Sequence, residues 1–368
     1  MKVYTFLIKL QYAWLNACLS LFQQSLFGAV NRKATKILLV RKGNLGDIIC
    51  SFPAFESIKK YFPSATIDLL TTHGTLSSMG ASSVIPNSYF HKVFEFRSFT
   101  LKSLWSLLRK QQYDTVIELP ADVETFGNQL RNMVFFRLAG IEMGGGWTVT
   151  RTNFLPKKQL KYFHFDNEQE RLKKILNSCG IPSGVLSYPP LFTQEDLNNI
   201  QDRFTGMSSE KMVAIAVGAK LDKKKWPLSY VRAVVEYLHQ HKYRVVAIGD
   251  EGDYHIVESL AIPAIANYCG KLTVAESAAL LSLCTFTVCN DSGPMHLSYA
   301  VETPVYAIFS ARNYPGKWNP PSDNKNKLFV NYNVPCAGCM NIPCDDNVCM
   351  KQITPEQVIQ SIHITLHT

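Results

Sequence analysis

The feature that most constrains the fold of this chain is a short apolar run that leads directly into a glycine turn and then into a helical pattern. Residues 36–41 have the length and composition of a buried strand, and two glycines follow within five residues. Residues 48–61 then show helical spacing, Pro63 ends the pattern, and residues 66–70 form another apolar run. The order strand, helix, strand predicts an α/β protein with parallel sheets.

The same alternation recurs further along the chain. Residues 92–96 and 114–119 are strand candidates on either side of a helical stretch at 101–110. Residues 181–190 contain proline and glycine and resemble a linker, and residues 212–217 begin a second series of strands and helices. Two such series predict two doubly wound domains.

The length of 368 residues allows two hydrophobic cores. We predict an amphipathic N-terminal helix at 1–33, followed by a Rossmann-like domain at 34–185. A second Rossmann-like domain is expected at 186–353, and a final helix at 354–368. The composition, 46% hydrophobic and 18% charged, is that of a globular protein.

The glycine turn after the first strand contains a carboxylate, Asp47. In a doubly wound sheet the loops at the carboxyl ends of the strands line the ligand crevice, so Asp47 is a candidate general base for a hydroxyl nucleophile. An Asp at such a turn also commonly caps the following helix, and the local sequence alone favours the cap. Only Gly43 and Gly46 stand at the turn, so the dinucleotide fingerprint is not matched and NAD binding is poorly supported.

Two loops of the second domain carry charges suited to a nucleotide. Four lysines lie among residues 220–225, after the strand at 212–217, where ammonium groups can neutralise a pyrophosphate. A solvated lysine run is the alternative interpretation. The next loop carries Glu251 and Asp253, either of which could bind ribose hydroxyls.

A third loop, beginning at Asp291, joins a strand at 285–290 to a helix. Pro294 suits the first helical position, while Ser292 and Gly293 leave backbone amides open to an anion. This pattern predicts a phosphate-binding loop without a metal requirement. His296, one turn into the helix, could contact the same ligand, although a lone helical histidine more often packs or faces solvent.

Together these motifs resemble those of family 9 glycosyltransferases, which include the bacterial lipopolysaccharide heptosyltransferases. The resemblance rests on GDII-x-x-x-PA at 46–54 and DSGPMHL at 291–297, with KWP at 225–227 and GKLT at 270–273. It extends from about residue 36 to the C-terminus. The resemblance implies the GT-B architecture of two facing Rossmann-like domains, inversion at the anomeric centre and catalysis without a metal ion.

The resemblance also implies a role for each candidate residue. Asp47 would be the general base, and Asp291 would contact the donor sugar. The acceptor-side loop would comprise Gly43, Asn44 and Gly46. At the helix start, the diphosphate would be bound by the backbone amides of Ser292, Gly293 and Met295. The leaving diphosphate would be stabilised, in place of a metal ion, by Lys220 with either Lys224 or Lys225. The ribose would be held by Glu251 or Asp253.

The predicted activity is inverting transfer of heptose from a nucleotide-diphosphate donor, ADP-heptose or a related one, to a lipopolysaccharide-core or other lipid-linked saccharide. Residues 120–124 are acidic where acceptor-facing residues of the best-known members are basic, which argues against a phosphorylated inner-core acceptor. One alternative is a nucleotide-sugar epimerase or hydrolase on the same fold. Another is a non-catalytic binding module.

The first thirty residues predict an amphipathic helix with one narrow polar stripe. Polar residues interrupt the apolar stretch, which argues against a secretory signal and a membrane span. The helix could lie in a membrane interface, helped by cationic residues at 32–36, or pack against the protein's own surface. We expect a cytoplasmic protein, peripheral on the inner face of the cytoplasmic membrane. The polar stripe comprises Thr5, Lys9, Asn16, Ser20 and Gln23.

The formal net charge of +9 favours anionic partners such as phosphate groups or acidic lipid. Nucleic acid is not expected as a partner, because no zinc-finger spacing, RNP-like motif or arginine-rich arm is present in the sequence.

Four of the ten cysteines lie within fourteen residues near the C-terminus. Their spacing suits a structural zinc ion, but two disulfides or free, redox-active thiols are alternatives. The other six stand in apolar surroundings and are expected to be buried free thiols. The clustered four are Cys336, Cys339, Cys344 and Cys349.

Overall fold

The computed structural model describes residues 2–72, 81–86, 88–121, 124–149, 165–184, 187–204, 211–262, 265–313, 315–321, 325–339, 344 and 346–367. The chain divides into two compact units. The first unit comprises Met1–Leu155 and Glu168–Pro189, and the second comprises Pro156–Asn167 and Pro190–Thr368.

The first unit is built on a parallel sheet whose aliphatic strands are buried. Its strands are β1 (Lys36–Arg41), β2 (Thr66–Thr71), β3 (Lys92–Glu95), β4 (Thr115–Leu119) and β5 (Met143–Gly145). Their order is β3-β2-β1-β4-β5, with β1 at the centre. Leu39 of β1 is paired with Leu69 and Ile117 of the neighbouring strands, so apolar residues line up across the sheet.

The helices described in this unit are α1 (Lys2–Leu26), α2 (Leu45–Ile49), α3 (Phe52–Tyr61), α4 (Leu101–Gln111), α5 (Phe126–Leu138) and α6 (Glu168–Ser178). The prediction of one continuous helix over residues 48–61 is wrong, because the helix breaks between α2 and α3. Pro53 lies in the first turn of α3, where its missing amide proton is tolerated but could not continue a preceding helix.

Helix α1 packs on its own unit through its second half, against α5. Leu19 is fully buried, and Phe27, just beyond the helix, stacks on Trp147 with 4.9 Å between the ring centroids. The side chain of Asn16 exchanges two hydrogen bonds with the backbone of Val149, at 3.0 and 2.7 Å. No helix among the described residues is long and apolar enough to cross a membrane.

The second unit contains a larger parallel sheet. Its strands are β6 (Met212–Ala216), β7 (Arg244–Ala247), β8 (Ile265–Asn267), β9 (Phe286–Asn290), β10 (Val305–Phe309) and β11 (Lys327–Val330), in the order β11-β10-β9-β6-β7-β8. Its described helices are α7 (Gln194–Asp202), α8 (Leu228–Gln240), α9 (Glu251–Glu258), α10 (Val274–Ser282), α11 (Gly293–Ala300), α12 (Val348–Lys351) and α13 (Pro355–His367).

The prediction of an α/β protein with two Rossmann-like parallel sheets is confirmed. Strands β6, β9 and β10 are neighbours, so the loops that follow them lie at one edge of the second sheet. One detail of the third loop is corrected. Helix α11 begins at Gly293 rather than Pro294, because Ser292 keeps an extended backbone as the N-cap residue.

Candidate functional site

The candidate residues of the first unit lie in the turn after β1 and in the first turn of α2. The backbone amide of Asn44, the N-cap of α2, donates to Oδ2 of Asp47 at 2.8 Å. Asp47 therefore caps its helix, as the local sequence indicates, yet its side chain remains 21% exposed. A side chain used in this way is held in one orientation at the carboxyl end of β1, where a ligand binds in doubly wound sheets.

The turn is tight enough to require glycine at position 43. A Cβ atom added to Gly43 would lie 2.2 Å from Cβ of Asp47, closer than any real contact allows. Gly46 lies inside α2 and Asn44 at its start. The structure thus brings together all four first-domain residues that the sequence singled out.

Replacing Gly43 by Ala is expected to displace Asp47, lowering sugar transfer at least about tenfold and stability by about 1–3 kcal/mol. The matched control is Gly127→Ala in α5, where an added Cβ meets nothing within 4 Å and helix propensity predicts a gain of up to about 1 kcal/mol. Steady-state transfer and urea unfolding measure both effects. Unchanged transfer by Gly43→Ala would show that the position of Asp47 does not depend on this close approach.

A buried arginine side chain hydrogen bonds to the backbone of Asp47 and holds it in place. Arg41, at the end of β1, is fully buried. Its Nε donates to Oγ of Ser51 at 2.8 Å, and its Nη2 donates to the backbone oxygen of Asp47 at 3.3 Å. The same Nη2 lies 2.8 Å from Oε1 of Glu168 and 4.0 Å from Oδ1 of Asp47.

Glu168 completes this buried charge network together with Arg171, whose Nη2 lies 2.6 Å from Oε1 of Glu168. Burial by itself would raise the pKa of Glu168, but the charges and hydrogen bonds of Arg171 and Arg41 outweigh it and hold the pKa below its usual range. The Glu168 carboxylate is therefore ionised, and its ion pair holds the Arg41 guanidinium next to Asp47. Sequence reasoning missed these residues. The sequence signal that could have identified them is Arg41, a charged residue at the end of an otherwise apolar strand.

Another buried carboxylate, Glu118, lies near the end of β4. It accepts hydrogen bonds from Nε1 of Trp147 at 2.6 Å and from Nδ2 of Asn132 at 2.7 Å. Burial raises the pKa of Glu118 to about 7, an effect that Lys42 and the two hydrogen bonds partly oppose. Lys42 also pairs with Glu124 at 3.2 Å, at the end of the predicted acidic segment. Residues 122 and 123 of that segment lie outside the described residues.

Glu118 should make the stability of the protein fall as pH rises. Its pKa is raised from the ordinary value of 4.5 to about 7, so the unfolded chain releases the proton first. Stability is then lost between about pH 4.5 and 7, by on the order of 3 kcal/mol. Urea unfolding over this range should show a steeper decline for the unmodified protein than for Glu118→Gln. Parallel profiles would contradict the assignment, whatever constant stability the Gln variant loses.

One candidate of the second unit, Asp291, lies directly after β9 and contacts another candidate, Lys224. Its carboxylate is nearly buried, with a side chain 4% exposed. Oδ2 accepts from Nδ2 of Asn313 at 2.7 Å and lies 2.6 Å from Nζ of Lys224. These partners come from the loops after β6 and β10, the strands next to β9. Between the two candidate lysines, the structure places Lys224 at the site.

The neighbouring Asn290, the last residue of β9, holds the loop after β6 at two points. Its Nδ2 donates to the backbone oxygen of Val217 at 2.7 Å, and its Oδ1 accepts from the backbone amide of Trp226 at 3.2 Å. Trp226, within the predicted KWP motif, is buried, and its ring nitrogen donates to the backbone of Ile353. The KWP motif thus anchors the loop that carries Lys224.

The N-terminus of α11 points its first amides toward the same edge of the sheet. Ser292 is the N-cap of α11 and Gly293 its first residue. Both therefore lie at the helix start, where the phosphate contact was predicted. The Met295 amide donates to the carbonyl of Ser292 at 3.2 Å, and its side chain is fully buried. His296 is buried, and its Nδ1 hydrogen bonds with the hydroxyl of Tyr299 at 2.6 Å.

The other predicted donor residues are exposed or have partners other than Asp291. Lys220 is exposed, and Lys225 pairs with the exposed Asp222 at 2.9 Å. Glu251 is exposed in the first turn of α9. Asp253 caps that helix by accepting from the amide of Asp250 at 3.2 Å, and burial together with the charge of Asp250 raises its pKa.

The cysteine cluster lies in the second unit. All ten cysteines belong to the described residues, and none forms a disulfide. Cys336 is exposed and Cys349 is buried, and the described His, Cys, Asp and Glu residues include no group of three or more placed to hold a metal ion. Structural zinc at these cysteines stays a prediction, which metal analysis of protein purified without added zinc would test.

Comparison with known proteins places this geometry in a family. The model of glycosyltransferase family 9 (heptosyltransferase) matches residues 101–347, more than half of the chain. Lipooligosaccharide heptosyltransferase 2 of Campylobacter jejuni is 23% identical over 86% of this chain and 95% of its own length.

Two solved structures share the fold. The family 9 glycosyltransferase of Veillonella parvula superposes with a TM-score of 0.70 at 18% identity, covering 93% of this chain and 100% of the other. Escherichia coli ADP-heptose lipopolysaccharide heptosyltransferase II superposes with a TM-score of 0.64 at 19% identity, covering 90% and 98%. The chain is a glycosyltransferase and belongs to glycosyltransferase family 9.

Proposed function

We propose that this enzyme is an inverting heptosyltransferase that moves heptose from ADP-heptose to a lipopolysaccharide-core saccharide or another lipid-linked saccharide. The observation that carries the proposal is the grouping of Asp291, Lys224 and Asn313 beside the N-terminus of α11. A carboxylate, an ammonium group and helix amides at one edge of a parallel sheet suit a sugar attached to a diphosphate. The family supports the choice of heptose.

In the donor half, each group has a separate task. Asp291 accepts hydrogen bonds from hydroxyls of the donor sugar. Lys224 and the positive end of α11 stabilise the charge that develops on the departing nucleoside diphosphate. These groups supply the positive charge that a divalent metal would otherwise provide. We therefore expect transfer to proceed without an added metal ion and to persist in EDTA.

In the acceptor half, Asp47 removes the proton from the attacking hydroxyl as the new bond to the anomeric carbon forms. The hydroxyl oxygen becomes the glycosidic oxygen, the bond to the diphosphate breaks, and the electron pair leaves with the nucleotide. A single displacement of this kind inverts the anomeric configuration. Because Arg41 and Gly43 fix the turn, Asp47 is already oriented before substrate binds.

We further propose that the reaction takes place at the inner face of the cytoplasmic membrane, where a lipid-linked acceptor would be embedded. Large apolar side chains of α1 remain exposed, among them Phe6 and Trp14, each 64% exposed. An interfacial helix keeps such residues outward, toward lipid.

The assay that tests the proposal measures ADP release from ADP-heptose with and without a saccharide acceptor, in the presence of EDTA. We expect release only when acceptor is present, together with a glycosylated product. Equal release without acceptor would favour a donor hydrolase, conversion of the donor sugar would favour an epimerase, and donor binding without turnover would favour a binding module. A thermal-shift screen of nucleotide-diphosphate sugars identifies the donor, because at equal concentration the ligand that binds the folded state most tightly raises the unfolding temperature most.

A further inference from the structure

Three helices of the first unit form an outer layer on one face of its sheet. Leu19 of α1, Leu104 and Leu108 of α4, and Met133 and Phe136 of α5 are buried in one hydrophobic core with side chains of β1, β2 and β4. The inward sides of α1, α4 and α5 are therefore covered. Their opposite sides face outward, and we refer to these as the outer face.

The outer face carries most of the exposed large hydrophobic side chains among the described residues. Among the described residues, thirteen large hydrophobic side chains are exposed, and ten of them lie on these three helices. Scattered exposed apolar residues need no explanation, but a concentration of this kind marks an interaction surface. The ten residues are Phe6, Leu7, Leu10, Trp14, Leu21 and Phe22 of α1, Leu101 and Trp105 of α4, and Val134 and Leu138 of α5.

The charge on these helices has a single sign. Helices α1, α4 and α5 contain seven lysines and arginines and no Asp or Glu. On α4 the guanidinium of Arg109 lies 5.0 Å from the centroid of the Trp105 ring, an arrangement that keeps a cation beside an apolar ring. By contrast, α3 and α6 carry carboxylates as well as cations.

We propose that the outer face docks on a bilayer surface that contains acidic phospholipid, with the apolar side chains in the acyl boundary and the cations against the headgroups. Acidic lipid is the occupant that fits, because the three helices present cations without a carboxylate and no described helix can span the membrane. The proposal deepens the membrane location given above and rests on it. It names the surface and adds α4 and α5 to the N-terminal helix.

Vesicle flotation of the full-length protein tests the docking. We expect binding to vesicles of phosphatidylcholine with phosphatidylglycerol, and weak binding to phosphatidylcholine alone. Replacing Arg131 and Arg137 by Gln should weaken binding to the acidic vesicles about 30-fold, since each cation near such a surface contributes about fivefold. Replacing Leu10 and Trp14 by Ser should weaken it at least as much.

Two control pairs match these variants in residue type. Lys60→Gln with Lys174→Gln removes two exposed cations from α3 and α6, and Leu228→Ser with Ile364→Ser removes two exposed apolar side chains from the second unit. Both pairs should bind acidic vesicles as the unmodified protein does. Circular dichroism verifies that every variant is folded.

The proposal is overturned if the unmodified protein ignores acidic vesicles or if both outer-face variants bind as tightly as the controls. A dimer that becomes a monomer on replacing Leu10 and Trp14, without vesicle binding, would assign the face to a second copy of the chain. Transfer to a delipidated, water-soluble acceptor should be unchanged in the outer-face variants. Absence of that transfer in the unmodified protein would count against the proposed reaction and leave the vesicle result standing.

Discussion

Replacing Asp47 by Asn is expected to lower the rate of sugar transfer by about a thousandfold, within the range that general-base catalysis contributes. An asparagine keeps an oxygen that can accept from the Asn44 amide, so the cap of α2 survives. The amide oxygen cannot take the proton of the acceptor hydroxyl. Steady-state transfer should therefore collapse while the free energy of unfolding changes little.

The chain offers a closely matched control in Asp196. Its Oδ2 accepts from the amide of Thr193 at 2.7 Å, so it occupies the same place in the capping box of α7 as Asp47 does in α2. Asp196→Asn should leave transfer unchanged. If Asp47→Asn also retained near-full transfer, Asp47 would be a helix cap alone.

Replacing Lys224 by Met is expected to produce the largest loss of stability, together with loss of donor binding. The substitution strands the carboxylate of Asp291, whose side chain is only 4% exposed. Removing one partner of a buried ion pair costs about 3–5 kcal/mol. Urea unfolding measures this loss, and calorimetric titration with ADP measures the expected weakening of nucleotide affinity.

A double variant separates the two effects. Lys224→Met combined with Asp291→Asn removes both charges, so much of the stability should return while ADP affinity stays low. Lys225→Met serves as comparison, since that lysine pairs with the exposed Asp222 and should matter little to stability. A larger loss of ADP affinity in Lys225→Met than in Lys224→Met would reverse the assignment.

The strands β1, β2, β4, β6 and β9 could be predicted from the sequence almost to the residue because they are short aliphatic runs that parallel sheets bury on both faces. The short strands β5, β8 and β11 were not predicted. β1 coincides with the predicted residues 36–41, and β9 with 285–290 apart from its first residue. The helix over 48–61 could not be predicted as two pieces from spacing alone. The apolar positions continue through the break, and only Pro53 reveals it.

Residues of the candidate site could be predicted from the sequence where a functional side chain lies in the loop directly after a strand. Asp47 and Asp291 each follow a strand directly, so a local pattern identifies them. Arg41 and Glu168 were missed because their ion pair joins residues 127 positions apart in the chain. Asn313 was missed for the same reason, since its partner Asp291 lies on a different strand loop.

The backbone conformation of this loop was needed to decide which lysine, Lys224 or Lys225, contacts Asp291. Residues Asp222–Lys224 form one turn of 3-10 helix, and Lys225 leaves it in an extended conformation. The turn directs Lys224 to Asp291 and Lys225 to Asp222. Adjacent lysines in a sequence are equivalent until the direction of each side chain is known.

Inverting, metal-independent heptosyl transfer is tested by following the reaction of ADP-heptose with a lipopolysaccharide-core acceptor in the presence of EDTA, with mass spectrometry of the product and NMR of its new anomeric centre. We predict one added heptose per acceptor, released ADP in equal amount, and an anomeric configuration opposite to that of the donor. Retention of configuration would contradict the single displacement with Asp47 as base. Complete loss of transfer in EDTA, with recovery on adding a divalent metal, would contradict stabilisation of the leaving diphosphate by Lys224 and α11.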